Sequence, residues 1–246
     1  MDIYQRTKIL LGDSALEKIK KSSVCVCGAG GVGSYAIEAL VRVGISDITV
    51  IDKDVVDVTN INRQLIALNS TIGMAKVKVV EDRIKDINSS TNVTAIMENI
   101  TPENIEEILK GKKIDYIVDC VDNFAAKVAI IEYANKNKIK CISSMGMANK
   151  INPLDIKVSD IYKTSVCPLA KNMRKKLKEI GIKKQKVVYS TEPPKKKNEI
   201  EREQYGNTLG SVSFVPSVGG LVIASEVVKD ITVSYTHLRA HETDSY

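Results

Sequence analysis

Four glycines in the segment VCVCGAGGVGS, residues 24–34, have the spacing of a phosphate-binding turn. Gly28, Gly30, Gly31 and Gly33 follow an apolar run and precede a helical pattern. In a strand–turn–helix unit, glycines let the backbone approach a phosphate, while the helix N-terminus presents free N–H groups and a partial positive charge. The turn therefore predicts a nucleotide site, and its spacing fits a nicotinamide dinucleotide as well as ATP.

The residues after the second predicted strand favour ATP. Asp52, at the end of that strand, is placed to bind ribose hydroxyls, which leaves a dehydrogenase possible. Asn60, Arg63 and Gln64 come just beyond it, and Lys76 falls in the first turn of the next predicted helix. Attack at an ATP phosphorus needs such cations, because negative charge builds up on the departing pyrophosphate, whereas hydride transfer does not.

The segment DCVDN, at the end of the fourth predicted strand, contains two carboxylates, Asp119 and Asp122. Ligands of α/β proteins bind at the carboxyl edge of the sheet, where this strand ends. Carboxylate oxygens are suitable ligands for Mg²⁺, so Asp122 is the candidate metal ligand.

Short β-branched runs alternate with helical patterns between about residues 22 and 150. This alternation predicts an α/β fold with a Rossmann-like, mostly parallel sheet and helices on both faces. The helices are expected over 34–43 and 72–87, from Thr101 onward, and up to about Asn137. A C-terminal α/β extension, residues 151–231, should contain a basic helix within 168–180, a mobile loop over 193–207 and a last apolar element over 219–231.

Positive charge is concentrated in one part of the sequence, whose formal net charge is +6. Residues 171–197 contain eleven Lys or Arg against two Glu, a local +9, which leaves the remainder at −3. Such a segment attracts a polyanion through counterion release, or it is an ordinary solvated face.

Composition excludes several classes of protein. No stretch approaches the roughly 20 apolar residues that a membrane span needs, and the start lacks the features of a secretory signal, so a cytoplasmic protein without membrane association is expected. The five cysteines form no C-x-x-C pair, so neither a disulfide framework nor zinc is expected. Residues 232–246 interrupt the apolar pattern, contain both histidines and are interpreted as a non-native tail.

The motifs G-x-G-G-V-G-S, D-x-D-x-V-x-x-x-N-x-N-R-Q, G-x-x-K and D-x-x-D occur in one order and resemble the ThiF/MoeB and ubiquitin-activating-enzyme superfamily, which adenylates carboxylates. The resemblance implies that Asp122 binds Mg²⁺ and that a homodimer forms in which Arg6, in the segment YQR, enters the partner's active site. It also implies catalytic roles for Arg63 and Lys76. The implied ATP-binding set is Gly28, Gly30, Gly31, Gly33, Asp52, Asp54, Asn60, Arg63, Gln64 and Lys76.

Within this superfamily, the segments P-x-x-I-x-V-x-D-I-x-K-T and PLA-K-x-x-R-x-x-L resemble the tRNA threonylcarbamoyladenosine dehydratases, and the similarity extends over about residues 1–231. The implied reaction adenylates the threonyl carboxylate of the modified tRNA nucleoside with ATP, after which the carbamoyl group closes a ring with net loss of water. The implied partner is tRNA, which residues 171–197 are able to hold through phosphates.

Three other functions stay open at this point. A sulfur-carrier adenylyltransferase of the ThiF/MoeB type is the main alternative, although such enzymes usually carry two zinc-binding C-x-x-C pairs. A nicotinamide oxidoreductase and a catalytically idle nucleotide-binding adaptor are the others. Cys167, just before the basic helix, is a candidate acceptor of an activated acyl or sulfur group, or a plain thiol, and a sulfur-transfer protein is a possible partner.

Overall fold

The computed structural model describes residues 2–233, which are organised around a seven-stranded sheet. Its strands in sequence order are β1 Ser23–Cys27, β2 Asp47–Ile51, β3 Asn92–Ile96, β4 Tyr116–Asp119, β5 Lys140–Ser144, β6 Ile156–Asp160 and β7 Lys186–Ser190. Their order across the sheet is β3-β2-β1-β4-β5-β7-β6. All neighbours are parallel except β6 and β7, which are antiparallel, so the predicted mostly parallel α/β sheet is confirmed.

The helices of the described residues connect these strands. They are α1 Gln5–Leu11, α2 Asp13–Lys21, α3 Gly33–Val43, α4 Lys76–Ile87, α5 Ile105–Leu109, α6 Phe124–Lys136, α7 Pro168–Glu179, α8 Glu199–Tyr205 and α9 Phe214–Val233. No helix within residues 2–233 combines the length and apolarity needed to cross a bilayer. Helix α9 runs through Val233, and the rest of the segment interpreted as a tail lies outside the described residues.

Both faces of the sheet are covered, because successive side chains of a strand point in opposite directions. In β1, Val24 and Val26 belong to a core shared with α3, α4 and α9. Cys25 and Cys27 face the other way and pack with α5 and α6. Every residue of β1 is buried, which explains the apolar run that follows Ser23.

Four of the cysteines are packing residues of this core. Cys25 and Cys27 are buried in β1, and Cys120 and Cys141 lie partly buried beside it. Burial raises the pKa of the Cys120 thiol and also that of Cys141, so these groups remain neutral thiols near pH 7.

The helix expected from Thr101 begins later, at Ile105. Asn104 closes the preceding turn, since its Oδ1 accepts from the Thr101 N–H at 2.8 Å and its Nδ2 donates to the Asn99 carbonyl at 2.8 Å. This local hydrogen bonding is an alternative to helix that an Asn side chain provides. The prediction of a helix start at Thr101 is therefore wrong by four residues.

The loop expected over 193–207 contains a helix, α8. Asn198 and Glu201 form a reciprocal cap, in which the Asn198 Oδ1 accepts from the Glu201 N–H at 2.8 Å and the Glu201 Oε2 accepts from the Asn198 N–H at 2.9 Å. A capping box of this kind satisfies two amide donors that a short helix otherwise leaves free. The prediction that this whole segment is irregular is therefore wrong.

A buried ion pair connects β4 with α6. The Lys127 Nζ lies 3.0 and 2.9 Å from the two carboxylate oxygens of Asp119, and both side chains are almost fully buried. The same carboxylate accepts from the Val121 N–H at 3.2 Å. Burial raises the pKa of Asp119, and the neighbouring Lys127 ammonium opposes that rise. The pair thereby fixes the loop that carries Asp122.

Replacing Lys127 by Met leaves Asp119 as an unpaired buried carboxylate. We expect the free energy of unfolding to fall by about 3–5 kcal/mol in denaturant titrations. The loss of unfolding free energy should become smaller as the pH falls, because buried Asp119 binds a proton at a higher pH in the folded state than in the unfolded state. Lys136→Met is the control, because Lys136 lies on the same helix as Lys127 and its pair with Glu106 of α5 is exposed, so this change should cost about 0–1 kcal/mol. Equal losses in the two variants would contradict this anchoring role.

Candidate nucleotide-binding and catalytic site

The glycine turn after β1 closes so tightly that side chains are excluded at two of its positions, Gly28 and Gly33. A Cβ on Gly33 would lie 1.8 Å from the Gly28 carbonyl oxygen. Gly28 has φ +93°, and a Cβ there would lie 2.9 Å from the backbone carbonyl carbon and oxygen of Cys120, just after β4. The turn thus packs against the end of β4, at the point where the sheet order reverses and α/β proteins bind ligands.

Backbone donors face outward from this turn. The amides of Gly30, Gly31 and Val32 have no acceptor within residues 2–233, and the hydrogen-bonded helix begins with the Ser34 N–H donating to the Gly30 carbonyl at 3.0 Å. Free amides together with the positive end of α3 constitute an anion site. Phosphate binding at this turn stays a prediction.

Asp52 is held beside the turn by two amides. Its Oδ2 accepts from the Ala29 N–H at 2.6 Å, and its Oδ1 accepts from the Asp54 N–H at 2.9 Å. The Asp54 carboxylate in turn binds the Lys76 Nζ at 2.9 Å, and Lys76 is the first residue of α4. The side chain of Lys76 is 6% exposed. Asp52, the predicted ribose ligand, and Lys76, the predicted phosphate contact, are therefore linked through Asp54.

Arg63 and Gln64 lie directly over the glycine turn. A Cβ on Gly31 would be 3.5 Å from the Arg63 Cγ, and one on Gly30 would be 3.8 Å from the Gln64 Nε2. The buried Gln64 Oε1 has no hydrogen-bond partner among the described residues, so it is an unsatisfied acceptor beside the glycine turn. The structure therefore brings these two residues to the cradle.

Asn60 has a structural role on the same segment. Its Oδ1 accepts from the Asp57 N–H at 3.2 Å, and it ends the 3-10 turn Val58–Asn60. The Arg63 guanidinium donates to the Thr59 carbonyl at 2.7 Å, so the turn also orients this arginine. Sequence patterns predicted Asn60 as a phosphate contact, and its place in the fold shows how it positions Arg63.

Asp122 is exposed in the loop after β4, two residues beyond the Cys120 that touches Gly28. No group of three or more His, Cys, Asp or Glu within residues 2–233 is arranged to hold a metal ion. Mg²⁺ commonly takes one or two carboxylates together with substrate phosphates, so the single exposed carboxylate fits a metal shared with a nucleotide. The absence of a zinc requirement stays a prediction.

Arg6 lies away from its own glycine turn. Helix α1 is attached through Tyr4, whose hydroxyl donates to the Val41 carbonyl at 3.3 Å and accepts from the Asn88 Nδ2 at 2.9 Å. Val41 is near the C-terminal end of α3, whereas the glycine turn is at its N-terminal end, about 15 Å away for a helix of this length. Arg6 is exposed there and is not brought to the other predicted residues of the same protomer.

Cys167 is 2% exposed and precedes α7. Its sulfur lies against Gly146, where an added Cβ would be 3.5 Å away, and it belongs to a core with Met145 and Ala170. Packing accounts for this burial, and a catalytic role for the thiol stays a prediction.

Five exposed lysines form a basic surface on and after α7. We call Lys171, Lys175, Lys178, Lys183 and Lys184 the α7 basic surface. Two other cations of the segment are used internally: Arg174 binds the Thr164 carbonyl at 3.0 Å, and Lys186 binds Asp230 and Glu226 at 2.9 Å. The basic segment is therefore partly structural and partly solvent-facing.

Sequence reasoning missed two residues that build this site. Lys127, which anchors the Asp122 loop, interrupts the apolar pattern FAAKVAII, and this charge in a buried helix was the available signal. Asn62 joins the segment to the C-terminal extension, since its Nδ2 donates to the Ser211 carbonyl at 3.0 Å. That contact spans 149 residues and has no local sequence signal.

The ThiF family profile matches residues 4–244. The chain belongs to the ThiF family. Its similarity to one ThiF-family protein, the tRNA threonylcarbamoyladenosine dehydratase of Bacillus subtilis, is 41% identity over 239 residues, 93% of this chain and 94% of that protein. The crystal structure of E. coli tRNA N6-threonylcarbamoyladenosine dehydratase, TcdA, in complex with ATP is similar with a TM-score of 0.86 and 34% identity, covering 95% of both proteins. The family predicted from the order of motifs is confirmed.

This chain is also similar to a sulfur-carrier enzyme. The sulfur carrier protein ThiS adenylyltransferase of Bacillus subtilis is 31% identical over 159 residues, which is 61% of this chain and 47% of that protein. The similarity to the dehydratases is therefore higher in identity and extends over more of both proteins.

Gly30→Ala tests the cradle without disturbing the fold. The added methyl would meet only the Gln64 Nε2 within 4 Å, at 3.8 Å, so the melting temperature should stay within about 2 °C of the wild type. ATP binding measured by calorimetry should weaken by about 10-fold or more, because the methyl occupies the approach of the phosphates. Gly146→Ala, whose added methyl would meet nothing closer than the Cys167 sulfur at 3.5 Å, is the control for adding a methyl to a glycine loop. Unchanged ATP affinity in Gly30→Ala would place the phosphates elsewhere.

Proposed function

We propose that this protein uses ATP to dehydrate threonylcarbamoyladenosine in tRNA. The threonyl carboxylate attacks the α-phosphorus of ATP, which forms an acyl-adenylate and releases pyrophosphate. The carbamoyl group of the same nucleoside then attacks the activated carbonyl carbon, which closes a ring and releases AMP with the departing carboxylate oxygen. The predicted function is the one named for the Bacillus subtilis and E. coli relatives.

One observation carries this proposal: donors and cations converge on the glycine turn at the reversal of the sheet order. The free amides of Gly30 and Gly31 would hold phosphate oxygens, and Arg63 lies directly over them. Lys76 is oriented by Asp54 near the same point. These groups would stabilise the charge that develops on pyrophosphate as it leaves.

Asp52 and Gln64 would orient the nucleotide. Asp52 is fixed next to the turn by the Ala29 amide and would bind the ribose, while the unpartnered Gln64 Oε1 would accept from a ligand donor. Asp122 would hold Mg²⁺, which when bound supplies positive charge shared between phosphate oxygens. The second step needs no protein nucleophile, since the attacking group belongs to the substrate.

The decisive test of the reaction is nucleoside analysis of tRNA. Incubation of threonylcarbamoyl-modified tRNA with the protein and ATP should produce a nucleoside lighter by one water, together with AMP and pyrophosphate in equal amounts. Equal pyrophosphate release with unmodified tRNA would contradict the proposal.

Arg63→Ala and Asp122→Ala should each remove adenylation while the protein stays folded. Both side chains lie at the edge of the sheet outside the buried core. We expect the rate of ATP–pyrophosphate exchange to fall by about 100-fold or more, the usual loss for one preorganised electrostatic group. Arg42→Ala is the control, since Arg42 is paired with Glu38 near the far end of α3 and should retain exchange. Retained exchange in both site variants would remove this assignment.

The α7 basic surface would bind tRNA phosphates. Replacing Lys175, Lys178 and Lys183 together by Glu should weaken tRNA binding by about 10-fold or more and flatten its salt dependence, while sparing ATP binding. The exposed residues Lys110 and Lys113, changed to Glu, form the control for added negative charge. Filter binding at several salt concentrations measures both effects. If the two variants bind tRNA alike, this surface is only solvated.

A homodimer would complete the site. Helix α1 has no buried residue and exposes Ile9 and Leu10 at 78% and 82%, an apolar surface suited to contact with a second copy. Arg6 on the same helix would then reach the nucleotide site of the partner. This arrangement explains its distance from the glycine turn of its own protomer.

Mixing two inactive variants tests that arrangement. Arg6→Ala and Arg63→Ala should each be inactive alone, but refolded together they should recover about a quarter of the wild-type activity, since random pairing gives one complete site in half of the dimers. Each variant refolded alone is the control. No recovery, with dimers present by light scattering, would contradict action of Arg6 across the interface.

A sulfur-carrier adenylyltransferase is the second candidate, on the strength of the ThiS adenylyltransferase similarity. It would form an acyl-adenylate on a small protein ending in Gly-Gly without any tRNA. Cys167 would then be the candidate acceptor of the activated group, and a sulfur-transfer protein the candidate partner.

We place the dehydratase in the cytoplasm, where ATP and tRNA are both present.

A further inference from the structure

A cavity of about 430 Å³ lies between two segments of the C-terminal extension. Its inner wall is formed by residues 149–151, and its outer wall by residues 195–197, Glu201, Tyr205 and residues 208–212. This volume is within the range of cavities that bind small molecules or single nucleotides. None of the residues assigned above to ATP lines it.

Asn149 holds the two walls together. Its N–H donates to the Gly210 carbonyl at 2.8 Å, its Oδ1 accepts from the Gly210 N–H at 2.7 Å, and its carbonyl accepts from the Lys195 N–H at 2.7 Å. Asn149 adopts φ +58°, a left-handed conformation that Asn tolerates better than most residues. The cavity is therefore a built feature of the fold.

The cavity adjoins the nucleotide site. Ser211, one of its lining residues, accepts a hydrogen bond from Asn62 at 3.0 Å, and Asn62 precedes Arg63. Five residues after Ser211, Pro216 would be 3.3 Å from a Cβ on Gly31. A molecule in the cavity is thus separated from the phosphate cradle by the Asn62–Arg63 segment.

Lys150 is the unusual residue of the lining. It is 3% exposed and forms no ion pair within residues 2–233; its Nζ donates to the neutral Ser190 carbonyl at 3.1 Å. The nearby Glu192 carboxylate is taken up by the amides of Ile151 and Asn152. Burial lowers the pKa of Lys150, and the nearby Glu192 and Asp155 carboxylates oppose that shift. An anionic ligand would relieve that cost.

The remaining lining combines positive charge with apolar surface. Lys195 and Lys196 are exposed at the outer wall, Lys197 is bound to the Gly206 carbonyl at 2.7 Å, and Glu201 is the one acid of the lining. Tyr205 and Leu209 supply large apolar surfaces. Aromatic surface beside lysines is typical of sites for unpaired nucleotides, whose bases stack and whose phosphates are neutralised.

We propose that this cavity binds the modified adenosine of the tRNA, with Tyr205 stacking on the base and Lys150 recognising the carboxylate of its substituent before that carboxylate reaches the ATP. The proposal rests on the dehydratase function. Lys150 would then distinguish modified from unmodified RNA, because unmodified RNA would leave its buried ammonium without an anion. The α7 basic surface, in contrast, would bind both RNAs equally.

The test compares two anticodon stem-loop RNAs, identical except for the threonylcarbamoyl group, in binding assays without ATP. The wild type should prefer the modified RNA. Lys150→Met should reduce that preference by about 10-fold, the effect of losing one charge-assisted hydrogen bond, and leave the affinity for unmodified RNA unchanged. Lys110→Met, a matched change at an exposed position, should keep the preference.

A second variant covers the case in which Lys150→Met does not fold. Tyr205 is 53% exposed, so Tyr205→Ala should melt like the wild type, and it should bind the modified RNA about 10-fold more weakly through lost stacking. Unchanged RNA preference in Lys150→Met, or unchanged affinity in a folded Tyr205→Ala, would overturn the proposal. A Gly-Gly-terminated peptide could also compete with the modified RNA for binding to the wild type but not to these two variants. That result would overturn the proposal in favour of a protein substrate.

The assignment of this cavity and the dehydratase function can fail separately. If the wild type cyclises the tRNA nucleoside but both variants bind RNA as it does, only the assignment of this cavity is wrong. If the wild type neither prefers the modified RNA nor cyclises it, the dehydratase function is wrong, and this inference fails with it.

Discussion

The nucleotide site depends on how closely two pieces of backbone approach each other. The Gly28 carbonyl occupies the position where a side chain on Gly33 would begin, and Gly28 itself touches the backbone after β4. This contact brings together the turn after β1 and the loop after β4, which carry the free amides and Asp122. A side chain at Gly28 or Gly33 would separate the two and remove the cradle.

Charges around the cradle are oriented by the protein before any ligand arrives. Asp54 holds Lys76, Thr59 holds the Arg63 guanidinium, and Lys127 neutralises the buried Asp119 beneath the Asp122 loop. Preorganised groups need not rearrange as charge develops in a reaction, which is the main source of electrostatic catalysis. The buried pair also shows that positioning and stability are served by the same residues.

The extension beyond β5 gives this nucleotide fold a second compartment. Strand β7 adds to the sheet beside β5, and β6 closes its edge, so the extension is continuous with the nucleotide-binding core. Asn149 and Asn62 then connect the cavity wall to both parts. ATP and a second substrate would therefore occupy adjacent compartments on one rigid sheet.

The sequence predicted the sheet well, because its strands are short apolar runs buried on both faces, as in β1 and β4. It also predicted which residues meet at the glycine turn, since glycine spacing and the cations that follow it are local patterns, and their roles in nucleotide binding stay predictions. The helix start at Thr101 failed because the Asn104 side chain closes a competing turn. Helix α8 was missed although its cap, Asn198 with Glu201, was readable. The cavity could not be predicted, since Asn149 and Gly210 are 61 residues apart in the sequence.

In the proposed reaction, the substrate carboxylate attacks the α-phosphorus of ATP. Labelling that carboxylate with ¹⁸O in threonylcarbamoyl-modified tRNA and analysing the products by mass spectrometry follows this attack. We expect one ¹⁸O atom in AMP and none in pyrophosphate. Label in inorganic phosphate with release of ADP, or no label in any nucleotide product, would contradict it.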